Sequence, residues 1–332
     1  MTTEAFQIIN RVARVEKHLR KHSTECLCPL CKESAIRSHA VQKNGWLSNI
    51  AEDNHVMGVQ RQIAAPLLKS SHESPPEPRI VRIGLNEAST FWGYCNVHDT
   101  QLFDCIERQP LCKDNVNQAM AFHLRAMSFE RVAKQSQQEI SRCLAEAHWN
   151  ALYREFMKNE VCIRDQMFEA DSRYRWDLFW SDNKDERFKN EYSFRWIVIP
   201  KNIGVASVTM IPPMSAIMEN RYMTAHKHKD GSYDVGRPSF SLSVIPYGEE
   251  THVVMCWHND DADFVAPWAH DLCTSSGIVQ ATVLNKCIFV KSEDFYVRPS
   301  LWDSLGDHVR DLVRENLVPN FFDREIPSVI TI

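Results

Sequence analysis

Two short pairs of potential metal ligands constrain this chain most strongly. Cys28 and Cys31 form a C-x-x-C pair within CPLC, and Cys95 and His98 form a C-x-x-H pair within CNVH. A two-residue spacer on a tight turn lets both side chains of a pair reach one ion, and zinc takes four Cys or His ligands in a tetrahedral arrangement. The two pairs therefore predict one structural Zn²⁺ that joins two distant segments of the chain.

The first of these ligands has an alternative. Cys26 precedes the first pair in ECLCPLC, so the segment reads C-x-C-x-x-C and Cys26 is able to replace Cys28 as a ligand. A second interpretation of all these residues is that they are buried free thiols without a metal. The other seven cysteines are scattered and mostly flanked by apolar residues, which is typical of small core side chains.

Cysteine usage and hydropathy indicate a reducing compartment. The eleven cysteines are an odd number, and the first residues mix charges with spaced apolar positions, unlike a secretory signal. No run of about 18 apolar residues predicts a membrane-spanning helix. We therefore expect a cytoplasmic protein without a membrane partner.

Charge and motif content exclude several large classes of protein. Lys and Arg number 38 against 43 Asp and Glu, a formal net charge of −5 that disfavours bulk packaging of nucleic acid while leaving room for a local basic site. The chain contains no GxGxxG, GxxxxGK[ST] or GxSxG motif. Dinucleotide-binding, P-loop and α/β-hydrolase functions thus have no support in the sequence.

Hydrophobic periodicity predicts an α+β fold in three parts. Residues 1–112 form a zinc-binding domain, residues 113–190 a helical connector, and residues 191–332 an α+β domain with a mostly antiparallel sheet. The connector contains a long stretch without Gly or Pro, which favours helices. The last part contains alternating, β-branched runs such as SFRWIVIP and THVVMCW, and Gly248 marks a hairpin turn before the second of them.

The N-terminal segment predicts an amphipathic helix. Its apolar positions Ile8, Val12, Val15 and Leu19 recur at helical spacing. The opposite face carries five basic residues: Arg11, Arg14, Lys17, Arg20 and Lys21. This face is either a solvated surface or a contact with a phosphate backbone or another acidic surface.

The order of the motifs carries a resemblance to a known family. A C-x-x-C pair precedes a strand that contains Ser38 and His39, and after a gap a C-x-x-H pair followed by Asp99 opens a helix. Over residues 26–105 this order resembles the HNH (ββα-metal) endonucleases, in particular those with a zinc-stapled treble clef.

The resemblance implies cleavage of phosphodiester bonds in DNA or RNA. It assigns His39 as the general base and Asp99 as a ligand of a catalytic Mg²⁺ or Mn²⁺ ion. It also assigns the four structural zinc ligands as Cys28, Cys31, Cys95 and His98. The chain departs from the family at Ser38, where an acidic or His ligand is common, and no single Asn can be assigned to orient the base.

Other interpretations remain open for these residues and for the whole chain. His39 is alternatively a packed or hydrogen-bonded histidine, and Asp99 is alternatively a helix-capping residue or a partner of His98. The chain is alternatively a non-catalytic zinc module that binds nucleic acid or protein, or a scaffold that zinc stabilises. In the enzymatic interpretation the C-terminal part recognises the target or a protein partner.

Overall fold

The computed structural model describes residues 3–21, 23–60, 79–145, 184–211, 239–275, 277–292, 294–317 and 326–332, with isolated positions between 158 and 180. Its helices are α1 (Thr3–Lys21), α2 (Asn96–Glu107), α3 (Val116–Ala145), α4 (Lys184–Glu191), α5 (Ala262–Thr274), α6 (Gly277–Phe289), α7 (Pro299–Ser304) and α8 (Asp307–Asn316). Its strands are β1 (Arg37–His39), β2 (His55–Val59), β3 (Ile80–Gly84), β4 (Thr90–Trp92), β5 (Tyr192–Ile199), β6 (Val205–Ile211), β7 (Phe240–Tyr247), β8 (Glu250–His258) and β9 (Tyr296–Val297).

The strands form a large sheet and a small one. The large sheet has the order β3-β2-β9-β6-β7-β8-β5, and every neighbouring pair is antiparallel. The small sheet pairs β1 with β4, so that Ser38 lies opposite Phe91 and His39 opposite Thr90. The α+β class and the antiparallel C-terminal sheet predicted from the sequence are confirmed.

Helices cover both faces of the large sheet. Helix α3 contributes Phe122 and Phe129 to the apolar cluster that contains Val254 of β8. On the other face, Leu272 of α5 and Leu284 of α6 pack in the cluster that contains Met255. Successive strand residues point to opposite faces, so β7 and β8 are buried on both faces, although Ser241 and Ser243 occupy alternate positions of β7.

Several local predictions can be compared with these elements. The turn at Gly248 is confirmed, since Tyr247 pairs with Glu250 and Gly248 has a φ of +60°. For residues 45–59 the sequence predicts a short helix followed by an irregular turn, but the segment also contains β2. The apolar spacing from about Leu301 to Asn316 predicts one helix, but the chain forms two, because it leaves helical geometry at Leu305 and Gly306.

Residues of the first and last predicted parts share the large sheet. Strands β2 and β3 belong to residues 1–112, and β2 pairs with β9 near the end of the chain. Glu52 adds a side-chain contact, because its carboxylate accepts hydrogen bonds from the backbone N–H and the hydroxyl of Ser300. The two boundaries between the three predicted parts stay a prediction.

Within the described residues, no helix combines the length and the apolar character needed to cross a bilayer.

Candidate metal centre

A folded loop carries the first two cysteines of the centre. The Cys26 N–H donates to the Glu33 carbonyl at 2.9 Å, and the Cys31 N–H donates to the Cys28 carbonyl at 3.1 Å. Leu30 adopts a φ of +65° at the tip of this turn. Such a turn brings residues on either side of it to the same edge of the loop.

The same loop is hydrogen-bonded to the segment before the second pair of ligands. The Leu27 N–H donates to the Gly93 carbonyl at 2.8 Å, and the Ile36 N–H donates to the Tyr94 carbonyl at 2.7 Å. Cys26 is therefore held against the start of α2 although it lies far away in sequence.

The second pair lies at the N-terminus of α2. Cys95 is the residue that caps the helix, with extended backbone geometry, and His98 lies in the first turn. The backbone N–H of His98, in the first turn, is the main cause that lowers the pKa of the Cys95 thiol, with a smaller contribution from the Val97 N–H. The exposed donors of a helix N-terminus thus favour a thiolate at Cys95.

Four ligand atoms converge at this point. They belong to Cys26, Cys31, Cys95 and His98, the Cys3His group, and they all lie within 4.8 Å of one another. His98 Nδ1 lies 3.5 Å from the Cys26 sulfur and 3.3 Å from the Cys95 sulfur. A tetrahedral zinc ion with bonds of about 2.3 Å to sulfur and about 2.05 Å to nitrogen separates such ligands by about 3.6 Å. The Cys3His group could therefore hold a metal ion such as Zn²⁺.

The pKa of Cys26 is shifted in the direction opposite to that of Cys95, because at Cys26 burial is the largest influence. Cys26 is 7% exposed, and burial raises the pKa of its thiol to about 11. Zinc coordinates the thiolate form, so binding at this position releases a proton and becomes tighter as the pH rises.

The structure differs from the first interpretation of the sequence at one ligand. Cys26, the alternative left open, belongs to the group, whereas the sulfur of Cys28 does not. The physical reason is the hydrogen bond from Leu27 to Gly93, which places residue 26 beside the second pair. Cys28 instead packs partly buried against the apolar cluster of α3. The spacing of the cysteines along the chain does not predict this contact between distant backbone segments.

The two residues assigned to catalysis lie on the small sheet and on α2. The Ser38 hydroxyl donates to Asp99 Oδ1 at 2.6 Å, so this bond joins β1 to the first turn of α2. The His39 imidazole has a different partner, the Leu85 carbonyl, 3.2 Å from Nε2. The contact between strand and helix is thus made by the residue before His39.

Burial shifts the pKa of both residues toward the neutral form. It raises the pKa of Asp99, against the opposing influence of the Arg125 guanidinium and the Ser38 hydroxyl. It lowers the pKa of His39, and the charge of Lys43 adds to this effect. At neutral pH the imidazole is therefore uncharged, the state in which a histidine accepts a proton.

An ion pair between α3 and the end of α2 is not predicted by the sequence. Arg125 of α3 is 1% exposed, and its Nη2 donates to Glu107 Oε1 at 2.5 Å. Its guanidinium carbon lies 4.1 Å from the centre of the Phe103 ring. In the sequence the only indication of this ion pair is one Arg within an apolar stretch of α3. An exposed Arg on the helix surface would give the same pattern.

Comparison of the chain with protein-family models, with curated proteins and with solved structures found no match.

Proposed function

We propose that this chain is a metal-dependent HNH-like endonuclease that cleaves phosphodiester bonds of DNA or RNA. One observation carries the proposal: a ββα unit formed by β1, β4 and α2 has the Cys3His group at one end, His39 in its first strand and Asp99 in its helix. The bond from Ser38 to Asp99 holds the strand and the helix of this unit together.

The environment of His39 supports a role as general base. A carbonyl oxygen only accepts hydrogen bonds, so the contact with Leu85 requires the hydrogen on Nε2. In the neutral ring Nδ1 then carries the free lone pair, and it is the atom that takes a proton from an attacking water. The lowered pKa of His39 favours this neutral ring at pH 7.

Asp99 offers the carboxylate ligand that a catalytic Mg²⁺ or Mn²⁺ requires. Mg²⁺ binds proteins through one or two carboxylates and keeps several of its waters, so a single carboxylate beside the Ser38 hydroxyl fits such an ion. When bound, the ion stabilises negative charge on the phosphate and on the leaving oxygen. Asp99 would hold the ion, and His39 would take the proton from the attacking water.

A second candidate function rests on the same bond. Because Asp99 is already the acceptor of the Ser38 hydroxyl, it serves equally well to tie α2 to β1 in a non-catalytic zinc module. In that case the protein binds nucleic acid or protein without cutting it, and the Cys3His group only stabilises the fold.

A cleavage assay separates the two candidates. Labelled single-stranded DNA, duplex DNA and RNA are incubated with the full chain and added Mg²⁺ or Mn²⁺. We expect metal-dependent cleavage by the wild type, a loss of at least about a hundredfold in His39→Ala, and unchanged zinc content in that variant. His270→Ala, which removes an exposed imidazole of α5, is the matched control and keeps full activity.

The proposal is overturned if the wild type cuts none of the three substrates, or if His39→Ala cuts as fast as the control. Binding without cleavage by wild type and His39→Ala alike identifies the non-catalytic module.

A further inference from the structure

Helix α1 is anchored to the protein by one face only. Val12 is fully buried and packs against Ile140 and Cys143 of α3, with Val15 and Leu19 partly buried beside it. Glu16 is buried as well, so this acidic residue is not on the outer face. The apolar side of the helix is thus used within the fold, and its polar side has a defined orientation.

The outer side of α1 is cationic. Four of its residues are exposed and form the basic face: Arg11, Arg14, Lys17 and His18. Neither Arg14 nor Lys17 pairs with an acidic side chain in the part of the chain that the structure describes. The helix carries five Arg and Lys against two Glu, whereas the whole chain has a net charge of −5. Positive charge is therefore concentrated on this surface against an acidic remainder.

The chemistry of the basic face selects among the possible partners. No large hydrophobic side chain is exposed among residues 10–19. Protein interfaces are centred on buried apolar or aromatic anchors, and lipid-binding helices insert their apolar face, which in α1 already packs on α3. A surface of exposed cations alone fits a polyanion.

From this surface we propose that α1 binds the phosphate backbone of the nucleic acid. The choice of nucleic acid as the polyanion rests on the proposed function. In this inference α1 contacts the substrate without regard to its base sequence. His18 lies seven positions after Arg11, a distance of about 10 Å along the helix at about 1.5 Å per residue. One strand of a duplex presents a phosphate about every 3.4 Å along its axis, so the basic face spans about three phosphates.

The test measures binding without cleavage. Fluorescence anisotropy follows the full chain binding to a labelled DNA duplex and to an RNA of the same sequence, without added divalent ions, at several KCl concentrations. The test variant is Arg14→Gln/Lys17→Gln. The matched control is Arg310→Gln/Arg314→Gln on α8, which removes two charges that pair with Asp307 and Asp311 of the same helix.

Each phosphate contact contributes about 0.9 to the slope of log affinity against log salt. In the test variant we expect the magnitude of this negative slope to decrease by about 1.8, because two phosphate contacts are lost. We also expect binding to weaken at least about tenfold near 0.1 M salt. The control keeps the wild-type slope, and circular dichroism shows both variants folded. Equal slopes for the wild type and the test variant, equal losses in both variants, or no binding by the wild type would overturn the inference.

The assay also keeps this inference separate from the nuclease proposal. Binding through α1 without any cleavage leaves the inference standing and removes the nuclease. If the protein cleaves nucleic acid but its affinity does not depend on Arg14 and Lys17, the nuclease proposal stands and the inference about α1 is wrong.

Discussion

The small sheet and the large sheet are stabilised by different means. Strands β1 and β4 have three residues each, and the Ser38–Asp99 bond, the loop around Cys26 and the Cys3His group lie beside them. Strands β7 and β8 have eight and nine residues, of which seven in succession are buried in each strand. A two-stranded sheet this short buries little apolar surface by itself, so directed bonds add to the packing of Phe91 on Phe129 of α3.

This contrast teaches where a metal ion has the greatest influence on the fold. Closing the segment between Cys31 and Cys95 costs conformational entropy, and short strands offset little of it. Metal binding lowers the free energy of the folded chain because the unfolded chain has no preformed site. In the large sheet a lost thiol changes only local packing.

The largest effect is expected for Cys26→Ala. It removes a ligand, so bound zinc falls from one ion per chain to almost none, as elemental analysis of the purified protein would show. At a free zinc concentration about a thousandfold above Kd, the loss of binding lowers the free energy of unfolding by about 4 kcal/mol. Cys28→Ala is the control and keeps its zinc. The reverse result would assign Cys28 as the ligand.

A smaller effect, independent of metal, is expected for Leu242→Ala. Leu242 is fully buried in β7, and truncating a buried leucine costs about 3 kcal/mol in urea unfolding. Because the residue lies in the apolar cluster away from the Cys3His group, we expect the same cost, to within about 0.5 kcal/mol, with and without a zinc chelator. A cost that changes strongly with chelation would show that the two regions are energetically coupled.

The smallest effect concerns pH and His252 of β8. Burial lowers the pKa of this histidine below its ordinary value of 6.5, against a weaker opposing influence of Glu250. The Trp196 Nε1–H donates to His252 Nδ1 at 3.0 Å, and protonation removes that acceptor. The neutral ring therefore stabilises the fold above about pH 6.5, and this contribution is lost as the pH falls through the lowered pKa.

The measurement compares unfolding of the wild type with His252→Gln between pH 7.5 and pH 5. Glutamine keeps an acceptor for the indole but does not titrate, so the stability of this variant falls less on acidification. Parallel pH profiles would contradict the assignment to His252.

Local patterns were sufficient to predict much of the fold. The alternating runs of β5 to β8, the turn at Gly248 and the helix that begins after Cys95 depend on residues close together in sequence. The pairing of β2 with β9 depends on strands from opposite ends of the chain, and no local pattern specifies it. The sequence does not indicate β2 for a different, local reason. Its five residues show no clear alternation of apolar and polar positions.

The sequence by itself determined that this chain carries clustered Cys and His ligands, a mixed helix-and-sheet fold and a basic amphipathic first helix. Those properties follow from residue chemistry and from the periods of helices and strands. Tertiary structure alone decided that Cys26 joins the Cys3His group, that Ser38 bonds to Asp99, and that Arg125 lies buried beside Glu107. Each of these contacts depends on how distant backbone segments are placed, and that placement is a result of packing the whole chain.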